Sequence, residues 1–300
     1  MIKIHTKACG FFFAFYFFLC QKKITFTHKN NMSEHLIWQN IRLLREKSPL
    51  VHSITNQVVS NFNANVLLAV GASPIMAHAE EELQDLFNIV QALVLNIGTL
   101  DMPQISAMHK AQTLAMQKKL PIVLDPVGAG ASALRTQTAL HLLKTGVRVL
   151  RANASEVLAL AGESAQTKGV DSTADSKNAL QAAHTLAKTY HTTVCMSGAV
   201  DYVVTEAGVI FALRNGQSMM TKITGMGCSA SALVGAFLAV EENPALASAS
   251  AMALMGIAGD IVAKEAKGLG SFAVSFLDAL GNLDKETFFK HIKIDNQSIS

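Results

Sequence analysis

Runs of consecutive apolar residues recur at strand length along the chain, and stretches patterned as helices separate them. Leu93, Val94 and Leu95 adjoin one another, as do Ile122, Val123 and Leu124. Successive side chains of a strand point to opposite faces, so a strand without polar alternation must be covered on both sides. Runs of this kind are Leu50–Ile54, Ala92–Ile97, Pro121–Pro126, Val147–Leu150 and Thr192–Met196. Between them lie amphipathic stretches such as Glu80–Val90 and Pro103–Gln117, the second with proline at its start, where a helix tolerates it. A strand–helix alternation of this sort predicts an α/β fold with a largely parallel sheet between helices. Tyr202–Thr205 and Val209–Ala212 read as a hairpin around Glu206–Gly208, and Cys228–Val240 and Pro244–Lys264 as closely packed helices rich in small residues. No repeat, linker or break in composition divides residues 32–300, which are expected to form one domain.

Composition narrows the function classes. Half of the 300 residues are hydrophobic and 16% are charged, which suits a buried core and excludes wholesale disorder. Four cysteines make no disulfide scaffold and no zinc-finger spacing. Residues 1–31 hold five lysines and no acid, so residues 32–300 carry 20 basic against 22 acidic groups. That near-neutral body gives a nucleic-acid partner no electrostatic support, and no stable membrane association is expected of it. His5, His28, His35, His78 and His109 are scattered without ligand spacing.

The first 31 residues read as an N-terminal extension apart from that domain. Phe11–Cys20 is wholly apolar and holds six of the 15 phenylalanines. As a helix it would rise about 15 Å, roughly half a bilayer core. Preceded by Lys3 and Lys7 it resembles a signal-peptide start, yet no small-x-small cleavage site follows. A start at Met32, with the upstream stretch arising from start-codon choice, and a disordered or membrane-tethering tail are the other readings.

Five polar or glycine-rich clusters fall at the ends of the apolar runs. Thr224-Gly225-Met226-Gly227-Cys228 precedes a helix whose free amides would suit an anion, phosphate above all. The same residues also suit a tight turn before a buried helix. Cys228, at that helix start, is expected to have a lowered thiol pKa and to serve as base or nucleophile. Asp125, in LDPVGAG, lies where open α/β sheets bind ligands, or else caps a helix. Asn153 and Glu156, in RANASE, have capping-box spacing, while Glu156 and Asp125 could share a magnesium ion with Arg151 on phosphate oxygens. Ser197 in MSGAVD could bond a nucleotide. His52–Asn56 and Val70–Met76 look like a pocket wall, with the Met76 thioether suited to an uncharged heterocycle. Cys9, Cys20 and Cys195 read as tail or buried thiols. There is no GxxxxGK[ST] and no strand-bound GxGxxG, so P-loop and Rossmann readings fail.

Taken in order, these clusters resemble the hydroxyethylthiazole kinases, the thiamine-salvage members of the ribokinase-like superfamily. The matching stretches are SPLVHSITNQVV, NVLLAVGASPIM, LVLNIGTL, VLDPVGAGAS, RANASEVLALAG, KGVDS, SGAVDYV, TGMGCSASALVGAF and GSFAVSFLDAL, from Ser48 to Leu280. Their shared order favours the functional reading of each cluster. The resemblance implies a three-layer sandwich with a mostly parallel central sheet and helices on both faces. It implies ATP-dependent phosphorylation of the hydroxyl of 4-methyl-5-(2-hydroxyethyl)thiazole with Mg2+, in the cytoplasm, by a homotrimer with active sites at subunit interfaces. By position, Asp125 and Glu156 match the magnesium-associated acids, and Arg151, Asn153 and Ser197 the ATP side. Met76, Gly225 and Asn56 fall on the substrate side, Gly225, Met226, Gly227 and Cys228 form the anion hole, and Cys228 is the catalytic residue. The usual RGN is Arg-Ala-Asn here, GTGC is Gly-Met-Gly-Cys, TG is Ser197-Gly198, and the proline of GPGSF is Leu269. Ala152 would matter only at a positive φ. Related kinases of hydroxymethylpyrimidine or pyridoxal, a nucleotide-hydrate lyase and a regulatory nucleotide binder are the rival readings.

Overall fold

The computed structural model describes residues 32–162 and 173–298. A helix, α1, spans 32–47. Strands β1 (Leu50–Ile54), β2 (Ser73–Ile75), β3 (Ala92–Asn96), β4 (Ile122–Asp125), β5 (Val149–Asn153) and β6 (Thr193–Ser197) run parallel. Strands β7 (Asp201–Val204), β8 (Val209–Leu213) and β9 (Ile294–Ser298) continue the same sheet in antiparallel pairs. The order across it is β2-β1-β3-β4-β5-β6-β7-β8-β9.

That order dictates where the helices go. Right-handed crossovers put connections on one face when strands are added in one direction, and on the other face when the direction reverses. The chain steps from β1 to β2 one way, through α2 (Ser60–Ala69), and then returns past β1 to β3. From there it advances steadily through α4 (Met102–Gln117), α5 (Ala133–Thr145), α6 (Ala154–Leu160) and α7 (Thr173–Tyr190). Helices α4 to α7, with the short α3 (Leu83–Leu86), bury Leu93, Leu95, Ile122 and Leu124 on one face. Val94 and Val123 point to the opposite face, covered by α1, α2, α8 (Met226–Leu238), α9 (Pro244–Val262), α10 (Leu269–Asn282) and α11 (Lys285–His291). Three layers result, and the uninterrupted apolar runs of β3 and β4 are their cause.

Helix α9 is 19 residues long with a mean hydropathy of 1.6, enough by length and composition to cross a membrane, yet 94% of that window is buried inside the protein. It is apolar all round because it is enclosed all round.

The expected strands and most helices recur, with informative shifts. Strand β5 starts at Val149 and runs on through Arg151 to Asn153, because parallel pairing with β6 satisfies its backbone as far as Asn153 opposite Ser197. Helix α8 begins at Met226, two residues ahead of expectation. The stretch Glu80–Val90 contributes only the single turn of α3, whose Leu83 joins Phe87 and Val90 in the core. Strands β2 and β9 lack the apolar signal altogether: each lies at a sheet edge, and β9 reads IDNQS. Ala152 has no positive φ, so its replacement of glycine introduces no backbone strain there. The KGVDS stretch, residues 168–172, lies outside the described residues.

Close packing of α8 on the sheet depends on Gly235, where an added Cβ would sit 2.5 Å from Val94 Cγ2 and 3.5 Å from Val51 Cγ1. Alanine favours a helix by about 1 kcal/mol over glycine, but overpacking costs ~1–3 kcal/mol. Gly235→Ala is therefore expected to lower the thermal midpoint by a few degrees and Gly235→Val by more; an unchanged midpoint for both would show that the α8–sheet contact yields.

Candidate active site

The reversal between β1 and β3 marks where open α/β sheets place a ligand crevice, at the carboxyl ends of these strands. Asn96 ends β3 and lies in register with Asp125, which ends β4. Asn96 Nδ2 donates to Asp125 Oδ2 at 2.7 Å, and Ser231 of α8 donates to the same oxygen at 2.7 Å. Asp125 Oδ1 is buried and has no hydrogen-bond partner. The amide of Asn56, just past β1, donates to Asn96 Oδ1 at 3.0 Å and to Cys228 Sγ at 3.3 Å. Asp125 thus caps no helix; it is a buried acid oriented by neutral side chains, with one oxygen left over.

Beside it stands the positive side of the crevice. Arg151 of β5 donates from Nη2 to Ser197 Oγ at 2.7 Å, while its Nε has no partner. Helix α8 starts behind Gly225, which has φ +97° and no capping side chain. The first amides of a helix lack internal acceptors, so those of Met226, Gly227 and Cys228 remain for an anion. A Cβ at Gly227 would fall 2.9 Å from Arg151 Nη1, so glycine there lets the guanidinium lie against the helix start. Met226 is buried and leaves both flanking glycines in place.

Asn153 and Glu156 form the capping box that their spacing predicts. Asn153 Oδ1 accepts from the Glu156 amide, Glu156 Oε2 accepts from the Asn153 amide, and Oε1 accepts from the Gly128 amide, all at 2.9 Å. Each carboxylate oxygen keeps a lone pair. Met76 lies just past β2, on the far side of β1 from Asp125, and packs on the α8 side of the core. His52 holds the adjoining backbone, with Nε2 2.7 Å from the Ala77 carbonyl. The structure therefore links Asn56, Asp125, Arg151, Ser197 and Cys228 around one crevice, and sets Met76 at its margin.

Three polar residues of the site were not anticipated. Asn96 and Ser231 hold Asp125, and Asp201 accepts the Gly198 amide at 3.0 Å, fixing the turn after Ser197. Asn96 had a visible signal: ALVLN and IVLD are adjacent apolar runs that each end in a polar residue. Ser231 had none, because serine in a small-residue helix looks like packing.

Electrostatics set the chemistry. Burial pushes the Asp125 carboxyl up to about 7, with Arg151 opposing and the Glu156 charge adding to the rise. Burial likewise raises Asp201 to about 6 and the core thiol of Cys195 to about 12. The Cys228 thiol is also raised, first by burial and then by the Asp125 charge, against the pull of Asn96, Asn56 and Arg151. This corrects the expectation of a lowered thiol: the helix start is there, but enclosure beside a carboxylate outweighs it. An orphaned, buried carboxylate oxygen fits a cation. Among the described residues no group of three or more His, Cys, Asp or Glu side chains could enclose a metal. One or two carboxylates with phosphate oxygens and water is how Mg2+ is ordinarily held.

A three-layer α/β sheet whose strand ends carry this acid, guanidinium and open helix start is the arrangement expected of a phosphotransferase of the ribokinase-like class. Comparison with known proteins narrows the class. The chain belongs to the hydroxyethylthiazole kinase family, whose profile matches residues 41–286. The hydroxyethylthiazole kinase of Leptothrix cholodnii is 49% identical over 263 residues, 86% of this chain and 95% of the relative. That of Brachyspira hyodysenteriae is 51% identical over 249 residues, covering 83% and 94%. The solved hydroxyethylthiazole kinase of Pyrococcus horikoshii superposes with a TM-score of 0.81 at 42% identity, over 87% of this chain and 99% of that one. A Staphylococcus aureus pyridoxal kinase, solved with AMP-PCP and pyridoxal, shares the fold at 15% identity and a TM-score of 0.62 over 84% of this chain and 99% of that one.

Two outcomes follow from this geometry. A carboxyl whose pKa is raised from 3.8 to about 7 binds its proton more tightly folded than unfolded, so stability falls as pH rises through that window. In chelator, Asp125→Asn is expected to be more stable than wild type at pH 8, on the order of 2–4 kcal/mol. The difference should vanish below about pH 4, where the acid is protonated in both states; a gap independent of pH would mean that the carboxylate is not desolvated. Gly227→Ala displaces Arg151 from the helix start. Its ATP affinity should fall about tenfold, or ~1.4 kcal/mol by calorimetry, with little change in thermal midpoint.

Proposed function

We propose that the chain transfers the γ-phosphoryl group of ATP to the primary hydroxyl of 4-methyl-5-(2-hydroxyethyl)thiazole, the kinase step of thiamine salvage. Family membership carries the activity. The observation that ties it to a place is the shared crevice of Asp125, Arg151, Cys228 and the α8 amides.

Phosphoryl transfer needs positioning and charge neutralisation more than covalent help. Arg151, Asn153 and Ser197 bind ATP, with the guanidinium on phosphate oxygens. The amides of Gly225, Met226, Gly227 and Cys228 hold the charge of the migrating group from fixed positions. Asp125, through Oδ1, and Glu156 would hold Mg2+, which supplies neutralising charge to the phosphates. Asn56, Gly225 and Met76 hold the thiazole alcohol. The Cys228 thiol, neutral at physiological pH, receives the hydroxyl proton late, as a weak base. A homotrimer with active sites at subunit interfaces is proposed on the family resemblance, with exposed Val58 and Met102, beside the loops that Gln57 and Thr99 join by a 3.2 Å hydrogen bond, as candidates to lie in that interface. We place the enzyme in the cytoplasm, with its co-substrate ATP, and residues 32–300 in one kinase domain.

Incubation of the chain with ATP, Mg2+ and the thiazole alcohol should yield the phosphate ester by mass spectrometry. Asp125→Asn should need more Mg2+, Cys228→Ala should retain measurable turnover, and Cys228→Asp should match wild type or better. Complete loss in both Cys228 variants would replace the weak base with an essential thiolate. Absence of ester with ATP binding intact would redirect the activity to another alcohol.

A further inference from the structure

Asn96 bonds both the acid and Asn56, the side chain that donates to the Cys228 thiol. Its carbonyl oxygen accepts from the Gly98 amide at 2.9 Å and from Asn56 Nδ2 at 3.0 Å. Two donors on one atom fix which end of the amide is oxygen. The nitrogen is thereby turned toward Asp125, where it donates to Oδ2 at 2.7 Å, and it also bears on the Cys228 thiol. Asn56 spends its second N–H on Cys228 Sγ. Gly98 makes the arrangement possible, since a Cβ there would lie 2.7 Å from Asn56 Nδ2. Asn96 itself is 1% exposed and Asp125 likewise.

The geometry has a consequence for the acid. Asp125 Oδ2 is saturated by two neutral donors, Asn96 and Ser231, and Oδ1 receives none. A free carboxylate would rotate between equivalent oxygens; this one is pinned with Oδ1 as the unpartnered atom. We propose that Asn96 is a positioning residue for phosphoryl transfer, whose single amide aims Asp125 Oδ1 into the site and, through Asn56, sets the Cys228 thiol at its distance from that acid. The inference rests on the kinase reading above, and it goes beyond it in naming what orients the acid and the base together.

An isosteric pair of variants separates aiming from mere hydrogen-bond satisfaction. Asn96→Asp keeps two acceptors for Gly98 and Asn56 but sets a carboxyl oxygen against Asp125. The exchange Asn96→Asp with Asp125→Asn restores an amide–carboxylate bond between the same two positions with its polarity reversed. With Asn96 as a positioning residue, Asn96→Asp loses at least about a hundredfold in kcat, while KM for ATP at saturating Mg2+ stays within about threefold. The exchanged protein recovers the wild-type thermal midpoint in chelator and stays at least about a hundredfold down in kcat, as does Asp125→Asn alone. Recovery of both midpoint and kcat by the exchange would overturn the proposal, since any paired amide and carboxylate would then serve. Wild-type kcat in Asn96→Asp would overturn it equally.

A second readout needs neither nucleotide nor metal. Peptide-resolved alkylation of Cys228 by iodoacetamide, in the full chain, should change at least about threefold in Asn96→Leu and in Asn56→Leu, and should be unaltered in Ser231→Ala, whose hydroxyl bonds the acid and the Gly227 carbonyl but not the thiol. Equal rates in all four proteins would sink the link from Asn96 to the thiol. Failure of the wild-type chain to form the thiazole phosphate would count against the kinase reading alone, because the alkylation pattern would still report the Asn96–Asn56–Cys228 arrangement.

Discussion

A carboxylate is buried at the end of β4 with only neutral side chains bonded to it, and the rest of the site is arranged around that fact. Asp125 has Asn96 and Ser231 on one oxygen and nothing on the other. Taking a charge out of water without a partner is costly, and the group responds by holding its proton to about pH 7. Such an arrangement persists only if what comes to the open oxygen returns more than burial costs. A cation brought in with nucleotide phosphates would do so, and the unpartnered Oδ1 would then link metal binding to ATP binding. Arg151 stands near enough to be felt by Asp125, but its hydrogen bond goes to Ser197. It is thereby not consumed in an internal ion pair and would be free to take the phosphate that the proposed function assigns to it.

Topology explains how so many polar groups reach one place without leaving the core unsatisfied. Strand order reverses between β1 and β3, so the segments leaving these strands diverge and expose their ends. Asn56, Asn96 and Asp125 follow or end three neighbouring strands, β1, β3 and β4. Helix α8 packs across the same strands, close enough that Gly235 has no room for a side chain, and this fixes where its amino end projects. Tight packing at Gly235 and open amides at Met226–Cys228 are two ends of one rigid element. Rigidity of that kind is what makes an anion site effective, because donors already in place need no reorganisation when charge develops.

Much of this was legible in the chain. Apolar runs without alternation required a sheet covered on both faces, and the Asn153–Glu156 spacing announced its capping box. Edge strands β2 and β9 were illegible for the opposite reason: a strand with one neighbour needs no apolar run, so SPI and IDNQS look like loop. At the site, charged residues and glycines stood out, whereas Asn96 was marked only as the polar end of an apolar run and Ser231 not at all. Neutral hydrogen-bonding side chains show what they hold only once a partner is in view, and their partner, Asp125, lies 29 and 106 residues away. The thiol was misjudged on similar grounds. A helix start is visible in sequence and argues for a lowered pKa, but burial and a through-space carboxylate are not visible.

That thiol also clarifies what cysteine offers at position 228 over an acid. An acid at 228 would place a second negative charge beside Asp125 in an enclosed crevice, and two adjacent carboxylates cannot both ionise cheaply. Cys228, raised by burial and by Asp125, is uncharged at physiological pH, so the desolvation penalty is confined to one group. The loss is basicity: a neutral thiol cannot remove a proton from an alcohol early. In a loose transition state the proton leaves only after the phosphoryl group has largely transferred, so late acceptance suffices. In the proposed mechanism the site would trade base strength for a lighter burden of buried charge, and leave acceleration to Arg151, the α8 amides and the aim of Asp125.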